Sequence, residues 1–184
     1  LAGRQATFQQ TGGNTTIASQ LQVGVTNGVN DPRARVTISG GNFTVNGPTY
    51  LGYNHGFSDT AWTQTNGQVS LQDLSMSRWD NGKSSYAIRG GTLAIAQGMN
   101  AANGSNSQSQ LTIEQGAVTV ARHLNLAAGN NATGALTLSG GSLDINGTLT
   151  VGRADRLSAA SVSQSGGVLS VDTFTLQPSA NYRL

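Results

Sequence analysis

The chain has 184 residues, a net charge of only +2 and charged side chains at just 10% of positions, well under the roughly 25% usual for soluble proteins. Nine of its ten basic residues are Arg, scattered along the chain with Lys83 the single lysine, so no basic stripe for nucleic acid is formed. Cysteine is absent, which excludes disulfides and thiol chemistry, and no apolar run approaches the ~20 residues of a membrane-spanning helix.

Strand pattern begins by Ala6 and recurs in seven units, each turning on a corner glycine: Gly13, Gly41, Gly67, Gly91, Gly116, Gly141 and Gly167. Five residues before each corner stand Phe8, Val36, Trp62, Tyr86, Leu111, Leu136 and Val162. Two after it stand Thr15, Phe43, Val69, Leu93, Val118, Leu143 and Leu169, and four after it Ile17, Val45, Leu71, Ile95, Val120, Ile145 and Val171. A third short strand follows in most units, as in Leu21 and Val23, Leu149 and Val151, or Phe174 and Leu176. Gly98-Met99-Asn100-Ala101 fits that third strand poorly. Apolar residues alternate with polar ones, as strands with one buried face require.

A repeat of 24 to 28 residues with this alternation predicts a solenoid. The expected fold is an all-β, right-handed parallel β-helix of about seven rungs, three short strands each, spanning residues 1–184 as one domain. Glycine supplies the positive φ of the sharp corners, and parallel connections favour the right hand. At about 4.8 Å per rung the rod is roughly 34 Å long. Loops such as Asp80-Asn81-Gly82 carry turn residues and favour a turn over a calcium site.

The run Gln164-Ser165-Gly166-Gly167-Val168-Leu169-Ser170-Val171 and its relatives at 10–13 and 38–45 resemble the repeats of secreted bacterial β-helix proteins. These include autotransporter passenger domains and the Gly/Asn/Thr-rich proteins with PEP-CTERM sorting tails. The resemblance implies an extracellular or cell-surface location and an adhesive, sheath-like or filamentous role, and it carries no catalytic residues. The opening Leu1-Ala2-Gly3-Arg4 shows no signal peptide and fits a mature or trimmed product.

Two surfaces are candidates for function. A solenoid end exposes unpaired strand edges, which soluble rods normally cap; no cap is expected here, since only Pro178 to Leu184 follow the last apolar pair. The expected partner is therefore another copy, added head to tail into a filament. Phe8, Gln10, Val162, Gln164, Phe174 and Leu176 form the expected assembly interface, with Gln164 of one copy stacked on Gln10 of the next as an amide ladder. The competing reading is that each amide satisfies a corner backbone group of its own chain. The second surface gathers Tyr50, Tyr53, His55, Phe57 and Trp79 into an aromatic patch suited to glycans or a protein neighbour.

Chemistry is sparse. Asp144 and Asp172 project from neighbouring rungs and form the best acid/base pair for glycan cleavage, ranked well below two solvated charges. His55 and His123 lie three rungs apart, too far to share a metal. The threonine files, such as Thr37, Thr63, Thr112 and Thr137, lack the paired rows of ice-binding solenoids. Neither catalysis nor a metal or other cofactor is expected.

Overall fold

A computed structural model describes residues 5–25, 33–53, 58–154 and 157–183. It is an all-β, parallel β-solenoid. The strands are β1 Gln5–Gln10, β2 Asn14–Ile17, β3 Leu21–Val23, β4 Arg33–Ile38, β5 Asn42–Leu51, β6 Asp59–Gln64, β7 Gln68–Met76 and β8 Lys83–Ile95. They continue as β9 Gly98–Ala101, β10 Gln108–Val120, β11 His123–Leu126, β12 Thr133–Leu138, β13 Ser142–Val151, β14 Ala159–Gln164, β15 Val168–Leu176 and β16 Ala180–Arg183.

Each coil contributes a first, a second and a third strand segment, and like stacks on like. The first segments run β1, β4, β6, the start of β8, the start of β10, β12 and β14, all parallel and in register. Six full turns separate these seven segments. Longer strands such as β5 and β13 join a second to a third segment through a bulge.

The in-register stack puts equivalent side chains in files along the axis. Ile38, Ile88, Ile113 and Leu138 are all fully buried, as are Leu124, Leu149 and Val151. Toward the N-terminal end the interior is aromatic. Phe8 meets Phe43 edge-on at 5.6 Å, Phe43 meets Trp62 at 5.4 Å, and Trp62 stacks on Tyr86 at 5.2 Å. Such pairs contribute about 0.5–1.5 kcal/mol each beyond their area.

Two kinds of corner close each coil. The predicted corner glycines all take left-handed backbone, with φ between 68° and 89°. They are also the points of closest approach between coils: a Cβ on Gly67 would stand 2.7 Å from the Gly41 carbonyl oxygen. The second corner, after the third segment, is a left-handed file of Gly24, Gly52, Ser77, Ala102, Ala127 and Gly152. There a Cβ costs about 1–2 kcal/mol. Ser77 offsets some of that cost, because its buried hydroxyl donates to the Gln108 carbonyl at 2.9 Å and pairs with Ser84 Oγ at 2.8 Å.

Two expectations need correction. Gly98–Ala101 is a regular third segment, β9, paired with β7 and β11. Its glycine has a steric reason, since the His123 ring lies where a Cβ of Gly98 would project. The C-terminal end is also not without a cover. After Pro178 the chain resumes the solenoid, and β16 pairs in parallel with β14, Val162 against Tyr182.

Candidate functional site

The N-terminal end presents β1, β2 and β3, each paired on one side only among the described residues. Alternation points Phe8, Ile17, Leu21 and Val23 inward, where other coils have another layer on both sides. Here they line an open apolar hollow of about 350 Å³, with Val25, Val36 and Phe43 completing its wall. Phe8 remains 41% exposed.

At the opposite end β15 pairs only with β13 among the described residues. Phe174 is 41% and Leu176 50% exposed, although they occupy the files of Leu149 and Val151, which are fully buried. Of the residues expected to form the interface, Phe8, Phe174 and Leu176 thus lie at open ends. Val162 does not: β16 covers it, and it is 1% exposed.

Within the single chain the glutamines follow the competing reading. Gln10 Nε2 donates within its own chain to the carbonyls of Gly13 at 3.2 Å and Asn42 at 3.1 Å. Gln64 repeats the arrangement, with Gly67 at 3.3 Å and Thr92 at 2.9 Å. Gln164 Nε2 reaches Gly167 in the same way at 3.4 Å. Each glutamine therefore ties down its own corner. The carbonyl end is served by a tyrosine of the next coil: Tyr86 OH donates to Gln64 Oε1 at 3.0 Å, and Tyr182 OH to Gln164 Oε1 at 3.1 Å. Gln10 has no such tyrosine, because Val36 fills that position, and its buried Oε1 lacks a partner among the described residues.

Three residues of the expected aromatic patch lie together. Tyr50 and Tyr53 lie 4.9 Å apart, and Tyr53 meets Trp79 edge-on at 5.9 Å. His55 and Phe57, also expected there, lie outside the described residues. Sequence reasoning missed Arg78, whose guanidinium sits over the Tyr50 ring at 4.5 Å and within 6 Å of the other two rings. Its position just before Trp79 in one loop was the available signal. Burial raises the Asp73 carboxyl above its ordinary value, against the lowering effects of the Arg78 charge and the Thr49 backbone N–H. Burial likewise pushes the Tyr86 hydroxyl well above its ordinary value.

Asp144 pairs across the sheet with Ser170, while Asp172 falls at the bulge beyond it. His123 is stacked between Gly98 and Thr148. Among the described residues no three His, Cys, Asp or Glu side chains gather as metal ligands. At the Asp80-Asn81-Gly82 loop, Asn81 takes left-handed backbone and Asp80 accepts the Ser105 N–H at 2.9 Å, so this carboxylate links stacked turns. The chain matches no family model, no curated protein and no solved structure.

Proposed function

We propose that this chain is a structural element of an extracellular fibre or surface layer, one that stacks head to tail on copies of itself. The observation that carries the reading is the pair of apolar ends. A hollow lined by Phe8, Ile17 and Leu21 stands at one end, and Phe174 and Leu176 protrude at the other. The ends differ from one another, so their contact is heterologous and propagates rather than closing. Low charge along the walls leaves little repulsion between stacked copies. Light scattering coupled to size exclusion tests the reading. Mass rises with concentration for the natural chain, and Leu176→Asp, which buries a charge in the contact, holds it at one copy. A single-copy mass for both proteins at all concentrations overturns it.

A second reading is favoured by one specific feature, the Tyr50–Tyr53–Arg78–Trp79 cluster on the wall of the rod. Partly exposed rings beside a guanidinium suit the faces and hydroxyls of sugars, which makes this a glycan-adhesive surface. Retention on a glycan array that is lost in Trp79→Ala supports it, and retention unchanged by that substitution removes it.

A further inference from the structure

Strand β16 occupies a position that the stacking reading requires for something else. It lies over β14, where the first segment of a following coil belongs. If a second copy set its β2 and β3 on the open edge of β15, Ile17 would fall over Val171, Leu21 over Phe174 and Val23 over Leu176, following the registers inside the chain. Its β1 would then need the edge of β14. That edge takes one strand.

The two competitors are chemically alike. In β1 the order is Ala6-Thr7-Phe8-Gln9, and in β16 it is Ala180-Asn181-Tyr182-Arg183. Their registers place Ala6 and Ala180 in one small-residue file with Ala34 and Ala160, and Phe8 and Tyr182 in one file with Val36 and Val162. Both rings make an edge-on contact with a phenylalanine, Phe8 with Phe43 at 5.6 Å and Tyr182 with Phe174 at 5.4 Å. β16 is also weakly held. It has four residues, pairs on one side only among the described residues, and leaves Asn181, Tyr182 and Arg183 exposed.

We infer that β16 is a built-in stand-in for β1, a plug that blocks the growing end until β1 of a second copy displaces it. This inference rests on the head-to-tail reading and names both its partner strand and its control. The plug covers Val162 and satisfies Gln164 in the single chain. Exchange costs little, because β1 offers the same parallel backbone ladder that β16 gives up and sets the Phe8 ring over Val162 in place of Tyr182, while β2 and β3 bury the rest of the end; the Tyr182 hydroxyl bond to Gln164 is the one contact Phe8 does not replace. Such exchange of equivalent elements is a low-cost route to association.

The test is a staple. Ser161 and Asn181 are exposed partners across β14 and β16. Neighbouring strands about 4.8 Å apart lie within the reach of a disulfide, and no natural cysteine interferes. The double variant Ser161→Cys/Asn181→Cys is compared oxidised and reduced, beside Tyr182→Asp, by sedimentation across a concentration series. The oxidised form is expected to stay single, the reduced form to associate like the natural chain, and Tyr182→Asp to associate at roughly tenfold lower concentration. Equal association of the oxidised and reduced forms overturns the plug and leaves stacking intact. Failure of every form, Tyr182→Asp included, overturns stacking and the plug with it.

Discussion

Replacing Tyr86 by phenylalanine removes a single oxygen from the middle of the rod, and its cost follows from what that oxygen touches. Tyr86 is fully buried, and its hydroxyl donates to Gln64 Oε1, itself fully buried, at 3.0 Å. The ring keeps its stack on Trp62 at 5.2 Å, so packing is almost unchanged. What is lost is one hydrogen bond, and a carbonyl oxygen is stranded without water, a loss of about 1–3 kcal/mol. For a chain of this size that lowers Tm by roughly 3–10 °C. The fold supplies its own control. Tyr182 makes the same bond to Gln164 at 3.1 Å, but in the open. Water replaces it there, so Tyr182→Phe should fall within about 0.5 kcal/mol of the natural chain. Urea unfolding followed by Trp fluorescence compares the two. The double variant Gln64→Leu/Tyr86→Phe should cost less than the sum of its single changes, because Ile38, Ile88, Ile113 and Leu138 already fill the Gln64 file. Equal costs for the Tyr86 and Tyr182 changes would refute the reasoning.

Further predictions concern the corners, Asp73 and the core. A Cβ at Gly116 would stand 2.6 Å from the Gly91 carbonyl oxygen at a φ of 89°, backbone against backbone with nothing flexible to yield. Gly116→Ala should therefore lose several kcal/mol, about 1–2 from the left-handed backbone alone, read as a fall in the urea midpoint; an unchanged midpoint would mean the coils are not in contact there. Asp73 carries a raised pKa from burial, so the folded state binds its proton more tightly than the unfolded one. Its penalty is absent below the ordinary value of 3.8 and grows as pH rises through the folded value. Asp73→Asn should therefore stabilise the protein at pH 7 and lose that advantage under acid, measured as Tm across pH; a destabilised variant at pH 7 contradicts this. Leu138→Ala, at a fully buried position, should cost about 2–5 kcal/mol by the same unfolding assay, and a change under 1 kcal/mol would place Leu138 outside the core.

The architecture was legible because two local signals repeat together. Alternation gives each strand an inward face, and glycine marks each corner; where both were present, as in 135–152, segment and register could be read directly. Where the signals were diluted, reading failed. Gly98-Met99-Asn100-Ala101 has no β-branched residue, and β7 and β11 on either side make it a strand. The second corner file went unnoticed because Ser77, Ala102 and Ala127 stand where glycine would have marked it. β16 was missed because four residues after a proline carry too little periodicity alone; their strand identity comes from the edge of β14. The aromatic patch was found by ring type, and Arg78 was overlooked because cation–ring contact depends on loop geometry that spacing does not encode.

Cryo-electron microscopy of the concentrated protein tests the central claim most directly. Stacked copies give unbranched filaments with a rise per subunit of about 34 Å, seven coils at about 4.8 Å each, and strands perpendicular to the axis running unbroken across the junctions. Single particles alone, or lateral sheets without end-to-end contact, would contradict it.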